Sequence, residues 1–171
     1  MLNTIIVYSE NRPGILYRIA DLFLRRRVNI ESLTVTEIEE RKISRFTITV
    51  RGDRTLIEKI AKQIYRIIEV LKVIELQENE VLAREVALIT VSSNSAEKRK
   101  EILDIAKVSN SKIISYSKSI LVVEKCGTEK EIEDLRELLS SYGIIDIART
   151  GRTAIPISNA KNYEINNLSV D

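Results

Sequence analysis

The 171-residue chain predicts an α+β protein built as two ferredoxin-like βαββαβ sandwiches in tandem. Three observations lead there. Apolar residues alternate with period 2, then with period 3.6, in the order strand, helix, strand, strand, helix, strand. The same order returns after residue 80. The composition, 44% hydrophobic and 30% charged with 27 basic against 25 acidic residues, suits globular domains rather than a disordered or membrane chain.

Residues 3–9 form the first strand, with Ile5 and Val7 on one face and Ile6 and Tyr8 on the other. Glu10-Asn11-Arg12-Pro13-Gly14 then turns into a helix reaching Arg27. Its Ile15, Leu16, Ile19, Ala20, Phe23 and Leu24 recur at helical spacing and predict one buried stripe. Residues 30–38 are a second strand. Residues 45–51 are a third, with Phe46, Ile48 and Val50 inward and Thr47 and Thr49 outward. A helix follows Gly52-Asp53-Arg54-Thr55, with a stripe running from Leu56 to Ile68, and residues 70–76 close the half as a strand.

In the second half, residues 86–91 are a strand and Ser92-Ser93-Asn94-Ser95 a loop. Asn94 and Glu97 have N-cap and N3 spacing for the next helix, which carries Ile102, Leu103, Ile105 and Ala106. Residues 112–117 and 119–126 read as a hairpin. Thr128 and Glu131 form a capping box for a helix bearing Ile132, Leu135, Leu138 and Leu139, and Gly143 suits its stop. Residues 144–149 are the eighth strand. The domains expected are 1–77 and 83–152, with 153–171 a polar, Asn-rich flexible tail. Helices covering one sheet face leave the other face and the edge strands free, which predicts tandem docking or dimerisation.

Absences exclude most enzyme classes. With no histidine there is no Ser-His-Asp or Cys-His catalysis and no imidazole zinc site. A single cysteine, Cys126, excludes an intrachain disulfide and a multi-thiolate cluster, and it reads as a small core residue. The five glycines are too widely spaced for either G-x-G-x-x-G or a P-loop. No apolar run approaches the roughly 18 residues of a transmembrane helix. The free cysteine and the lack of an export signal suggest the cytoplasm. Arg25, Arg26 and Arg27 with Lys98, Arg99 and Lys100 fit solvated helix faces rather than a nucleic-acid site, because the sheets lack the stacking aromatics that RNA recognition requires.

The start of the first helix is the most informative place. Asn11 supplies a capping side chain, Pro13 suits the first turn, and Gly14 has no Cβ. Such a tetrapeptide can simply turn the chain. It can also present backbone N–H groups and the positive end of a helix dipole to an anion. With no glycine-rich loop and no basic residue beyond Arg12, a small carboxylate such as that of an amino acid is the better guest. Asn29, between the first helix and the second strand, reads either as a turn residue or as an amide that binds a zwitterion's charged groups.

The run Asn11-Arg12-Pro13-Gly14-Ile15-Leu16-Tyr17-Arg18, together with Val28-Asn29-Ile30-Glu31-Ser32-Leu33-Thr34-Val35, resembles the ACT domain, an amino-acid-binding βαββαβ module. Ser44-Arg45-Phe46-Thr47-Ile48, Ala83-Arg84-Glu85-Val86-Ala87-Leu88 and Ala148-Arg149-Thr150-Gly151 extend the likeness over about residues 1–155. Taken together, these stretches resemble the regulatory small-subunit family of acetolactate synthase (acetohydroxyacid synthase). The resemblance implies a non-catalytic chain that pairs through its ACT domains and acts on a separate catalytic subunit. That subunit, not this chain, would use thiamine diphosphate, magnesium and FAD. It also implies that valine or another branched-chain amino acid binds between two protomers and mediates feedback inhibition. Asn11, Gly14, Ile15 and Leu16 would form one side of the pocket, and Asn29 and Ile30 of the neighbour the other. A free-standing tandem ACT sensor controlling transcription and a small enzyme on the same scaffold are the rival readings.

Overall fold

A computed structural model describes residues 1–38 and 42–157. The described residues divide into two compact units, one of residues 1–83 with 152–157, the other of residues 84–151. The chain passes into the second unit after Ala83 and returns to the first at Arg152.

In the first unit the order is β1 (Leu2–Glu10), α1 (Ile15–Arg25), β2 (Ile30–Ile38), β3 (Ile43–Arg51), α2 (Arg54–Ile64) and β4 (Val70–Gln77). The strands form an antiparallel sheet in the order β2-β3-β1-β4. Ile5 and Val7 of β1 and Phe46, Ile48 and Val50 of β3 meet Ile15, Ile19 and Phe23 of α1 and Ile57, Ile60 and Ile64 of α2. This is the core that alternation and helical spacing predict. The buried stripe of α1 is narrower than its apolar arc, however. Leu16 is 45% exposed and Leu24 74% exposed. These two and Ala20 form a row one helical step round from Ile15, Ile19 and Phe23, beyond the reach of the sheet. α2 likewise stops at Ile64, and Ile68 lies outside the core.

The opposite sheet face is not free. One turn of 3-10 helix (Glu78–Glu80) leads into β5 (Val81–Ser92), and β9 (Thr153–Pro156) pairs with β5. Val81, Ala83 and Ala154 close over Ile6, Tyr8, Ile43 and Leu76 as a second apolar cluster. Thr47 and Thr49, which alternation alone turns to solvent, are each 1% exposed. Residues 152–157 are therefore an ordered strap and not the start of a flexible tail. Arg152 clamps Glu78 through two N–H donors, at 2.7 and 3.0 Å. Its backbone N–H donates to Ser32 Oγ and its carbonyl accepts from Thr34 Oγ1. Arg45 donates to Tyr8 Oη, Thr47 Oγ1 and the carbonyl of Ala154. The rest of the expected tail, from residue 158, lies outside the described residues.

The second unit runs from β5 through α3 (Ala96–Val108), β6 (Lys112–Tyr116), β7 (Ile120–Gly127), α4 (Glu129–Ser140) and β8 (Ile144–Arg149), with strand order β6-β7-β5-β8. Ala87, Ile89, Val91, Leu121 and Val123 pack beneath Ile102, Ala106, Ile132, Leu135 and Leu139. Both halves of the Thr128–Glu131 capping box form. Hydrogen bonds from the Thr128 backbone N–H and hydroxyl hold the Glu131 carboxyl below its usual range. For α3 the cap is Ser95 and not Asn94: Ser95 Oγ accepts from Lys98 N–H at 3.1 Å. Cys126 is exposed, not a core residue, because it follows Lys125 on the face away from the helices. The neighbouring Lys125 is buried instead, its ammonium donating to the Ser109 carbonyl at the negative end of α3 at 2.6 Å. Glu85, also buried, is held by two N–H donors of Arg149.

Candidate functional site

The site is built where β1 ends and α1 begins. Gly14 occupies the N-cap of α1 with φ +87°, a left-handed conformation that strains any side-chain-bearing residue. A Cβ built there meets nothing within 4 Å, so glycine is required by the backbone angle, and open space lies in front of it. The first N–H groups of a helix have no acceptor one turn back. α2, α3 and α4 each offer one of theirs a side chain, from Asp53, Ser95 and Thr128. α1 alone among these four has no side-chain cap. Asn11 does not supply it as its spacing suggests. Its Oδ1 accepts from Ser44 Oγ at 2.9 Å and its N–H donates to the Lys42 carbonyl, which ties the turn to β3.

Charge around this helix start is arranged in two pairs. Arg12 Nε lies 2.6 Å from Glu10, and Arg18 lies 2.5 Å from Glu69. The hydrogen bond from Arg18, then the Glu69 backbone and the charges of Arg18 and Arg12, hold the Glu69 carboxyl below its usual range. Both arginines are thus already paired with carboxylates, and the uncapped dipole end is the remaining attraction for an anion. The four residues expected here play different parts. Ile15 is buried in the core, so it offers its backbone N–H and not its side chain. Leu16 is half exposed beside it, and Tyr17 is largely exposed.

Asn29 and Ile30 are not brought to this place. Ile30 pairs with Val50, while Ile38 pairs with Ile43, which in turn pairs with Glu10. Asn29 and Ile30 therefore stand at the far end of the sheet, about 26 Å away along the nine-residue β2 at 3.3 Å per residue. Asn29 is exposed there and Ile30 is half-buried. Within one chain, Asn29 and Ile30 are thus separated from the helix start at Gly14. The edge strand β2 and the Leu16, Ala20 and Leu24 row lie on the same side of the unit, since α2 packs against β4 and α1.

A cavity of about 170 Å³ also lies in the first unit, but it contains none of these residues. It is lined by Asn3, Arg54, Glu58, Glu75, Gln77 and Glu80, among others. Burial, and then Glu58, push the Glu75 carboxyl up. A cavity with three carboxylates and one guanidinium repels the acid end of a zwitterion, and nothing in the sequence had marked it. Among the described residues no group of three or more His, Cys, Asp or Glu is placed to hold a metal ion, and no helix is long and apolar enough to cross a membrane.

The first unit, with its glycine-headed uncapped helix, has the fold of an ACT domain. The family model described as the AHAS small subunit-like ACT domain matches residues 5–72, and that described as the small subunit of acetolactate synthase matches residues 84–158. The chain is 41% identical over 161 residues to a probable acetolactate synthase small subunit of Archaeoglobus fulgidus, covering 94% of this chain and 100% of the relative. It is 36% identical to the acetolactate synthase small subunit of Mycolicibacterium smegmatis, over 90% of this chain and 89% of the relative. A crystal structure of the acetolactate synthase small subunit from Thermotoga maritima superposes with a TM-score of 0.84 at 35% identity, over 93% of this chain and 99% of that one. The chain belongs to the acetolactate synthase small-subunit family.

Proposed function

We propose that this chain is the non-catalytic regulatory partner of a separate acetolactate synthase catalytic subunit. It raises that subunit's activity and mediates feedback inhibition by valine or a related branched-chain amino acid, in the cytoplasm. Thiamine diphosphate, magnesium and FAD belong to the catalytic partner in this reading. The carrying observation is the start of α1, the one helix of the four whose leading N–H groups receive no side chain, opened by a left-handed glycine with clear space in front. A ligand carboxylate fits there on the N–H groups of Ile15 and Leu16.

The separated half-sites support a shared pocket. Two copies placed antiparallel along β2 would set Asn29 and Ile30 of one against Gly14 and Leu16 of the other. Exposed Leu16 and Leu24, with half-buried Ala20 between them, would be covered at the same time. Ligand binding then favours one arrangement of the pair, and a coupling of about 1–3 kcal/mol suffices for about 5- to 150-fold inhibition.

The experiment is reconstitution with the catalytic subunit. The complex is expected to turn over pyruvate faster than the catalytic subunit alone and to lose that gain as valine is added, while this chain alone turns over nothing. Failure to co-purify with the catalytic subunit, or no change in its rate, overturns the proposal.

A further inference from the structure

In the second unit, the turn from β5 into α3 gathers polar groups whose hydrogen-bonding capacity is left over. Ser93 lies one residue past the end of β5, continues the buried alternation of Ala87, Ile89 and Val91, and is joined to α3 by a hydrogen bond from Arg99 to its carbonyl. Ser93 is 0% exposed. Its N–H donates to the Ser119 carbonyl at 2.8 Å, yet its hydroxyl has no partner among the described residues. Arg99, in the first turn of α3, lies across this spot. It donates to the Ser93 and Lys118 carbonyls and, at 3.4 Å, to Tyr116 Oη, with the guanidinium 5.3 Å from the Tyr116 ring. Its Nε–H is buried with no acceptor among the described residues.

Among the described residues, the acceptors of Arg99 are neutral. Buried N–H and O–H groups are ordinarily satisfied, and two orphans beside one guanidinium are unusual. Ala96 and Glu97 open the helix, so their N–H groups have no acceptor one turn back, and the dipole adds positive potential. Lys98 and Lys100 flank Arg99 in the sequence, against Glu97 and Glu101.

We propose that the head of α3 is a binding site for a small oxyanion, a carboxylate or phosphate group, held by Arg99 Nε and Nη, the Ser93 hydroxyl and the N–H groups of Ala96 and Glu97. Charge-assisted hydrogen bonds are shorter and roughly twice as strong as neutral ones. An oxyanion therefore displaces the guanidinium's longer contacts to the Ser93 carbonyl and Tyr116, and Arg99 turns from spanning the site to clamping its occupant. This site is in the other unit from Gly14 and does not rest on the function proposed above.

The test is a titration of the full chain, followed by amide and Arg Nε–H resonances, with sodium phosphate and sodium acetate against sodium chloride at matched ionic strength. Saturable shifts are expected at residues 93–97 and at Arg99 Nε–H. Arg99→Lys, which keeps the charge and loses the fork, is expected to weaken binding about tenfold. Ser93→Ala, which removes an unpaired buried hydroxyl and should not harm the fold, is expected to weaken it about threefold or more. Gly14→Asp is expected to leave these shifts unchanged. Saturation by acetate alone assigns a carboxylate, and saturation by phosphate alone a phosphate group. Unsaturable shifts that match those of chloride, or the same affinity in Ser93→Ala as in the unaltered chain, overturn the proposal.

Discussion

Substitution of Gly14 separates what the backbone needs from what a ligand needs. A Cβ at this position meets nothing within 4 Å, so Gly14→Ala bears only the left-handed φ of +87°. That conformation costs an L-residue about 1–2 kcal/mol. Gly14→Asp bears the same strain, offset by about 0.3–1 kcal/mol because a carboxylate at a helix start meets the dipole. The two variants should therefore melt within a few degrees of each other, with the aspartate variant no less stable. Ligand binding should split them. A carboxylate about 4 Å from a bound carboxylate opposes it by about 1 kcal/mol in bulk water and about 4 kcal/mol at the effective dielectric of a protein surface. The loss in valine affinity then falls between about 5-fold and about 1000-fold. Calorimetric titration with valine, beside thermal melts of both variants, reads the difference, and the reconstituted complex reads its effect on inhibition. If Gly14→Asp binds valine within twofold of Gly14→Ala, the head of α1 does not receive the carboxylate.

Three further outcomes follow from other parts of the structure. Leu24→Glu lies on an exposed position and should change stability by no more than about 0.5 kcal/mol, yet abolish self-association in sedimentation equilibrium. Ala154→Glu places a carboxylate at a buried position of the strap. It should lower stability by about 2 kcal/mol or more and increase dye binding to the uncovered Ile6, Tyr8 and Leu76 face. The capping carboxylate of Glu131 has a depressed folded-state pKa, so its stabilisation is present above the ordinary carboxylate value and is lost as pH falls through the lower folded one. Urea midpoints measured from pH 6 down to pH 3 should therefore fall more steeply for the unaltered chain than for Glu131→Gln, which keeps the geometry of the box without its titration.

Local chemistry made several features legible in advance. Thr128 and Glu131 sit three apart before an apolar run, and a reciprocal cap at that spacing needs no other part of the protein. Gly14 follows Pro13 at a helix start, which marks a turn there, while the left-handed angle of Gly14 came from the structure. Where two side chains compete for one local role, spacing was not enough. Ser95 took the cap from Asn94, and Asn11 turned to Ser44, a residue 33 positions away that became a neighbour only once β1 and β3 had paired.

By itself the amino-acid order determined the two βαββαβ passes, the inward row of the third strand and the glycine turn, because periodicity and capping are set within a few residues along the chain. Only the tertiary structure decided what lies over each face. It laid residues 152–157 across the sheet side that alternation leaves bare, left Leu16 and Leu24 uncovered, and put Asn29 at the opposite end of the sheet from Gly14. Alternation says which way a side chain points, whereas burial depends on which distant segment arrives there to exclude water.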